Sequence, residues 1–199
     1  MFGLKKGMWF LIAFNLAYLL IFAIYYISIK NLEFLWYIFI VGVLISIIAI
    51  TLKSSKLDYV ALWGLSIWGL LHMLCGGLKV GSEVLYKFKI YEFINRGGDF
   101  YILKMDQVVH FYGFAVAAIV VYQLIRTRMK PGASRGLAVF LAWIGGMGFG
   151  ALNEVIEFIA FITLSKTGVG DVYNTGFDLV FNLLGALAGA FFANYLSKR

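Results

Sequence analysis

Long apolar stretches alternate with short polar connections along the whole chain. Six of them approach or exceed the roughly 20 residues that a helix needs to cross a bilayer core of about 30 Å. They are residues 8–29, 34–52, 59–78, 108–125, 137–164 and 176–196. Because a spanning backbone must satisfy its own hydrogen bonds, and these stretches are too long for barrel strands, helices are the spanning element that fits. The pattern predicts an all-α polytopic membrane protein, a compact bundle of about six transmembrane helices in one integral membrane domain, residues 1–199.

Composition supports this interpretation. Hydrophobic residues make up 62% of the chain, which has a single proline, and the mean hydropathy is +0.90. The lone cysteine, Cys75, excludes an intramolecular disulfide and a thiolate-based metal site. The first apolar stretch follows Lys5 and Lys6 as a signal peptide would, but it is long and has no clear cleavage site, so we expect it to remain as a helix.

The net charge of +7 is explained by membrane topology. The basic residues lie mainly between the predicted helices and form no nucleic-acid-binding patch, so we expect no nucleic-acid partner. With a cytoplasmic N-terminus, ten of the 17 basic residues fall on the inner side, which favours both termini in the cytoplasm. Five basic residues between Lys79 and Lys104 weaken that bias. The predicted location is the plasma membrane, with the lipid bilayer as partner.

The connection at residues 79–104 is too polar to span a membrane and too aromatic for an ordinary linker. The topology puts it on the extracytoplasmic side, where we expect it to lie in the membrane interface. Its segment YKFKIYEF alternates lysine with aromatic or aliphatic residues, which is typical of a short strand, and NRGGD could close a hairpin. An interfacial helix is the alternative. In either form the segment would serve as an aromatic anchor at headgroup level or as a lid over a substrate.

Ionisable side chains also occur inside the predicted helices, where each charge costs at least about 2.5 kcal/mol in mid-bilayer. The helical rise of about 1.5 Å per residue places these polar groups in one band in the outer half of the membrane. The band contains His72, Asp106, His110, Glu154, Glu157, Asn174, Asp178 and Asn182, below a loop that holds Asp171. Intramembrane ionisable groups generally face a bundle interior or a water-filled cavity. The sequence therefore predicts a polar pocket that opens outward.

Some of these residues have a structural interpretation as well. Asp106 could cap helix four, and Asp171, Asn174 and Thr175 could cap helix six. His72 could be a hydrogen-bonded packing residue. Small residues at four-residue spacing in helices five and six, among them Gly146, Gly150, Gly185 and Gly189, are expected to press those two helices together.

For Glu154, Glu157 and Asp178 a purely structural interpretation is weaker, because nothing about folding requires carboxylates at these positions. Crowded in a low dielectric, they would let a protonated acid coexist with a carboxylate base, which suits general acid/base catalysis beside His110. A histidine with several oxygen ligands could alternatively hold a divalent metal ion. Helix five reads N-E-x-x-E and lacks the histidine pair of a zincin, so the metal remains an alternative.

Four motifs carry a family resemblance: LHMLCGG at 71–77, DQVVHFYGF at 106–114, NEVIEF at 153–158 and GDVYNTGFDLVFNLLGALAG at 170–189. They resemble the YjdF-like family of small membrane proteins and, more distantly, the VanZ-like group. The resemblance covers helices three to six and implies a helical bundle with a polar pocket and a role in the cell envelope. VanZ-like proteins usually have E-x-x-Q followed by an arginine, but this chain has Glu157 and no arginine before Asp171, so an anion-gripping role for that arginine is in doubt here. The shared pattern falls on Asp106, His110, Glu154, Asp178 and Asn182, and the YjdF-like version adds Glu157, Asp171, Asn174 and Thr175.

Together these observations predict a hydrolase or transferase that acts on a lipid or cell-envelope headgroup at the outer leaflet. The candidate catalytic residues are His110, Glu154, Glu157 and Asp178. The candidate substrate-binding residues are His72, Asp106, Asp171, Asn174, Thr175 and Asn182. Two alternatives stay open: a small transporter or ion- or proton-binding protein that uses the same carboxylates, and a polar cluster that only specifies helix packing.

Overall fold

The computed structural model describes residues 7–98, 100–130, 132–164, 167–168 and 170–198. This part of the chain contains six helices that are long and apolar enough to cross a membrane. They are α1 (Met8–Ser28), α2 (Leu32–Ser55), α3 (Tyr59–Gly77), α4 (Met105–Arg126), α5 (Arg135–Thr163) and α6 (Val172–Leu196). The predicted all-α multi-pass architecture is confirmed. Four basic residues of the charge pattern and one residue of the predicted turn lie outside the described residues: Lys5, Lys6, Lys166, Arg199 and Asp99.

Helices α4 and α6 start three and four residues earlier than predicted. The predicted spans begin at residues 108 and 176, whereas the helices begin at Met105 and Val172. The first turn of each helix is polar, so it fell outside a span that was predicted from continuous hydrophobic residues. The extra turns matter because they carry Asp106 and Asn174 into the site described below.

The three C-terminal helices, α4, α5 and α6, pack on one another most closely, and α3 packs on α4. Gly185 and Gly189 of α6 approach the backbone carbonyl oxygens of Phe111 and Ala115 on α4. The expectation that these two glycines press α6 against α5 is therefore wrong. They bring α6 against α4, because a residue without Cβ lets two helix backbones approach closely.

The stripe of small residues on α5 does face α6. A side chain at Gly150 would meet Asn182, and one at Gly146 would meet Ala186 of α6 and Ala118 of α4. Gly146 therefore lies in the groove between two helices. This stripe brings α5 close to α6, as the spacing predicted.

Two hydrophobic clusters fill the bundle. One joins the first turns of α1 and α3 to the later turns of α4 and α6, and the other joins the end of α1 to the start of α2 and to α3. Between α1 and α3, Asn15 Nδ2 donates to Ser66 Oγ at 2.7 Å. The outside of the bundle carries large apolar side chains such as Phe10 and Ile50, which are 76% and 83% exposed. Such a surface suits lipid and not water.

The connection between α3 and α4 adopts the hairpin form and not the helical one. Strands β1 (Lys79–Val80) and β2 (Glu83–Val84) pair first, and a single 3₁₀ turn (Leu85–Lys87) follows. Strand β3 (Lys89–Asn95) then pairs antiparallel with β4 (Tyr101–Lys104). β3 is exposed along its length, whereas β4 begins and ends on buried residues. The hairpin thus delivers Lys104 directly to the start of α4.

Candidate functional site

The polar residues of α3 to α6 gather at one end of the bundle, where α3 and α5 end and α4 and α6 begin. A cavity of about 200 Å³ lies at this end, between the helix termini and the 3₁₀ turn of the connection. Its polar lining residues are Asn31, Glu33, His72, Tyr86, Lys87, Lys104, Asp106, Glu157 and Asn174. Among the described residues, a cavity with polar side chains is therefore present at the end of the bundle that carries the polar band.

His110 lies at the centre of a carboxylate cluster, which we define as Asp106, His110, Glu154, Glu157 and Asp178. The imidazole is 7% exposed. Its Nε2 lies 3.6 Å from Asp106 Oδ1 and 4.0 Å from Glu157 Oε1. Its Nδ1 lies 3.5 Å from Glu154 Oε1. One buried ring thus faces carboxylates from α4 and α5.

Two asparagines orient the α5 side of the cluster. Asn182 Oδ1 lies 3.0 Å from His110 Nδ1, and Asn182 Nδ2 donates to Glu154 Oε1 at 3.3 Å. Asn153, one turn before Glu157 on α5, donates through Nδ2 to Glu157 Oε1 at 2.8 Å. Each amide offers a donor to a carboxylate oxygen, which lowers the cost of burying the charge.

Asn174 performs the same task on the other side of His110. Its Nδ2 donates to Asp178 Oδ2 at 2.6 Å and to Asp106 Oδ2 at 3.2 Å. Its Oδ1 accepts a hydrogen bond from the buried ammonium group of Lys104, and that contact fixes which way the amide points. Asp178 is fully buried. Its second oxygen, Oδ1, is the one buried side-chain nitrogen or oxygen in the described part of the chain with no hydrogen-bond partner.

The structure shows which of Asp171 and Asp106 caps a helix. Asp171 is the N-cap of α6 and accepts hydrogen bonds from the backbone N–H groups of Tyr173 and Asn174 at 2.9 and 3.0 Å. Asp106 lies inside the first turn of α4 and is not its N-cap. There, Gln107 Oε1 accepts the backbone N–H of Lys104 at 3.1 Å. Asp106 is therefore free to face His110.

The remaining predicted binding residues lie apart from the cluster. His72 lines the opposite wall of the cavity, where its Nδ1 hydrogen bonds with the hydroxyl of Tyr86. The ring also packs against aromatic side chains, with centroids 5.1 Å from Tyr37 and 5.7 Å from Phe34. Thr175 is half-buried on α6, and neither Thr175 nor Asp171 belongs to the cavity lining found among the described residues. Substrate-binding roles for these residues stay predictions.

Sequence reasoning missed several residues of the site. The charge pattern groups Lys104 with the interfacial basic residues, although it comes two positions before Asp106. Glu33 lies one position before the second predicted span, and in the structure it is 7% exposed with Oε2 accepting the backbone N–H of Gly168 at 2.7 Å. That contact joins the start of α2 to the loop between α5 and α6. Local sequence patterns do not predict a contact between Glu33 and Gly168, which are 135 residues apart.

The carboxylates of the cluster differ in whether they line the cavity. Asp106 and Glu157 belong to the cavity wall, whereas Glu154 and Asp178 are not among its lining residues; Glu154 is 8% exposed and Asp178 is fully buried. The cavity also carries the two lysines Lys87 and Lys104. A small anionic group in the cavity would therefore meet positive charge and carboxylate bases together.

Comparison with protein families gives one match. The model of a family described as predicted membrane protein (DUF2238) matches residues 9–199, which includes all six helices except the first residue of α1. Comparisons with curated proteins and with solved structures give no match. Because the match covers nearly the whole chain, it includes every residue of the carboxylate cluster and of the cavity. The chain belongs to this family of predicted membrane proteins.

Proposed function

We propose that the protein is a membrane-embedded hydrolase that acts on a phosphate-bearing lipid or cell-envelope headgroup entering the cavity. The observation that carries this proposal is the cavity lining, which combines two lysines with the carboxylates of Asp106 and Glu157. Lysine ammonium groups bind phosphate oxygens as point charges. A carboxylate at the same wall supplies a general base.

In this proposal Glu157 is the base. Its carboxylate is 15% exposed, lines the cavity, and has Oε1 fixed by Asn153. It accepts a proton from water as the water oxygen bonds to phosphorus, and it returns that proton to the headgroup oxygen as the phosphorus–oxygen bond breaks. Glu154 is not among the lining residues of the cavity, so we assign it to the support of His110 through Asn182.

Lys104 and Lys87 are proposed to hold the phosphate. Lys104 is 4% exposed, and its ammonium group donates to Asn174 at the cavity wall. Lys87 is more exposed and pairs with Glu83 at 3.7 Å. Burying a lysine ammonium group costs free energy unless a negative group lies next to it. A substrate phosphate in the cavity would supply that negative group.

The topology of the proposal follows the charge pattern. We propose that the protein lies in the plasma membrane with both termini in the cytoplasm, so that the cavity and the 79–104 connection face the outer leaflet. The resemblance of the motifs to YjdF-like and VanZ-like proteins agrees with a role in the cell envelope. An accessibility assay with single cysteines at Ser82 and Ser197 tests this orientation, with the Cys75→Ala variant as the background.

Activity is tested with the purified full chain in vesicles that contain phospholipids of several headgroup classes, with the products followed by mass spectrometry. The Glu157→Gln variant should lose at least about 100-fold in rate, since a general base contributes about that factor or more. The exposed strand residue Glu92, changed to Gln, is the matched control and should retain wild-type activity. Full activity in Glu157→Gln, or no headgroup release from any phospholipid by the wild type, would refute the proposal.

A transporter that uses the same carboxylates is the alternative. It requires a polar route from the cavity to the opposite end of the bundle. In the described residues that end is filled by an apolar cluster in which Ala61, Ala138 and Ala142 are fully buried. Packing of this kind opposes transport, because an ion would have to cross a close-packed interior.

A further inference from the structure

We propose that His110, Asp106 and Asp178 form a binding site for one divalent transition-metal ion of the zinc or manganese type, below the floor of the cavity. One ligand atom from each of these side chains lies within 4.8 Å of the other two. The site does not depend on the proposed hydrolase. An ion held there would be present equally in a transporter or in a purely structural cluster.

The unpartnered oxygen of Asp178 points to a ligand. The side chain is fully buried, Oδ2 is hydrogen bonded to Asn174, and Oδ1 has no partner. Oδ1 accepts no hydrogen bond from the described residues. A buried unsatisfied group in a native protein calls for an explanation such as an ion or ordered water. A cation bound by Oδ1 satisfies it.

The orientation of His110 is the second observation. Asn182 donates to Glu154 through Nδ2, so its Oδ1 faces His110 Nδ1 at 3.0 Å and accepts the Nδ1–H. The lone pair is then on Nε2, which faces Asp106. Metal-binding histidines are commonly fixed in this way, with the second ring nitrogen donating to an oxygen.

The spacing suits a four-coordinate ion. Ligand bonds of about 2.1 Å at tetrahedral angles put neighbouring ligand atoms about 3.4 Å apart. The observed separation of His110 Nε2 and Asp106 Oδ1 is 3.6 Å, and Glu157 Oε1 lies 4.0 Å from the same nitrogen. Glu157 could approach as a fourth ligand or leave that position to water. Asp106 and Glu157 line the cavity and provide the route by which the ion enters.

Charge balance also favours a dication. The cluster holds four carboxylates, from Asp106, Glu154, Glu157 and Asp178. Among the described residues, Lys104 is the buried cation that contacts the cluster, through Asn174, whereas Lys87 at the cavity wall pairs with Glu83 outside the cluster. His110 is neutral when its Nε2 binds a metal. With all four ionised, the carboxylates exceed the positive groups by at least two. A divalent cation neutralises that excess in a site where unpaired charge is costly.

The ligand types narrow the choice of metal. An imidazole nitrogen suits zinc and other transition metals, and carboxylate oxygens suit manganese as well as zinc. Calcium and magnesium bind oxygen ligands and rarely use a histidine. The single cysteine of the chain, Cys75, is buried on α3 and belongs to neither candidate metal-binding group found among the described residues. We therefore use Zn²⁺ and Mn²⁺ as probes.

The test measures binding of each ion to the full chain, purified in detergent or lipid nanodiscs and stripped with a chelator. Titration calorimetry and elemental analysis after desalting should give about one Zn²⁺ or Mn²⁺ per chain. The Asp178→Asn variant should bind at least tenfold more weakly. Glu33→Gln is the matched control because it removes a buried carboxylate near the same cavity but outside the cluster, and it should bind as the wild type does.

Two results would overturn the proposal. One is a wild type that binds less than a tenth of an equivalent of either ion, which leaves Asp178 Oδ1 to a water molecule. The other is equal affinity in Asp178→Asn and Glu33→Gln. If Asp178→Asn does not fold, X-ray absorption of the zinc-loaded wild type decides. An imidazole signature with nitrogen and oxygen ligands near about 2.0–2.1 Å is expected, and a shell without imidazole refutes the site.

Discussion

Replacing Gly185 by alanine tests whether the contact of α6 with α4 holds the cluster together. The new Cβ would lie against the backbone carbonyl oxygen of Phe111, well inside the normal contact distance. Because the obstacle is backbone, no side-chain rotation relieves it. The same Cβ would lie 2.8 Å from the carbonyl carbon of Phe111. Non-bonded carbon contacts are optimal at about 3.5–4.0 Å, so α6 must move away from α4 by about 1 Å.

The displacement reaches the site directly. Asn182 lies one turn before Gly185 on α6, and His110 precedes Phe111 on α4. The contact between Asn182 Oδ1 and His110 Nδ1 is 3.0 Å long, so a displacement of about 1 Å takes it beyond hydrogen-bonding distance. The bond of Asn174 to Asp106 of α4 lies on the same face of α6 and weakens too.

The expected loss in free energy of unfolding is about 2–4 kcal/mol. Overpacking contributes about 1–3 kcal/mol. Two interhelical hydrogen bonds in a membrane contribute about 0.6 kcal/mol each. Gly176→Ala is the matched control, because Gly176 also lies on α6 but a methyl group added there would meet no neighbouring atom within 4 Å. It carries the same gain in helix propensity without the contact.

Detergent-induced unfolding followed by circular dichroism measures the stability of both variants, and Zn²⁺ titration measures the effect on the cluster. Gly185→Ala should unfold earlier and bind Zn²⁺ more weakly than Gly176→Ala. The reasoning fails if the two alanine variants unfold together. If Gly185→Ala is destabilised but binds Zn²⁺ unchanged, the α4–α6 distance does not control the cluster.

Three further predictions concern packing and pH. Asn15→Ala removes the hydrogen bond to Ser66 and should lower the free energy of unfolding by about 1 kcal/mol while leaving Zn²⁺ binding unchanged, which the same two assays check. Gly76→Ala places a methyl group on the ring of Phe34 and should cost about 1–3 kcal/mol in the same unfolding assay. Burial raises the pKa of the Tyr86 hydroxyl well above its ordinary value of about 10, so the folded state resists its ionisation. The stability that the neutral hydroxyl contributes is present below about pH 10 and declines above it. Thermal unfolding measured between about pH 8 and 11 should show a smaller decline in stability for Tyr86→Phe than for the wild type.

Hydrophobic length alone determined the number of helices and much of their boundaries, because the cost of unsatisfied backbone in lipid leaves helices as the spanning form. The same signal failed at the starts of α4 and α6, where polar turns continue the helices at Met105 and Val172. Hairpin geometry in the 79–104 connection was one of two forms that its residues allowed. The structure has the hairpin, with β3 paired to β4.

The depth of a helical residue in the membrane can be calculated from the sequence, because the rise per residue is constant and successive helices alternate in direction. This calculation placed at one level the residues Asp106, His110, Glu154, Glu157 and Asp178. Only the tertiary structure decided which of them reach the cavity. Rotation and approach of helices depend on contacts between distant residues, and those contacts put Asp106 and Glu157 at the cavity wall and leave Asp178 fully buried.

The partners of the cluster were decided in the same way. Lys104 meets Asn174 across 70 residues, and Gly185 meets the backbone of Phe111 rather than helix α5. The sequence identifies the polar side chains that a pocket in the membrane can contain. It does not state which pairs meet, since each pairing is the joint result of packing six helices at once.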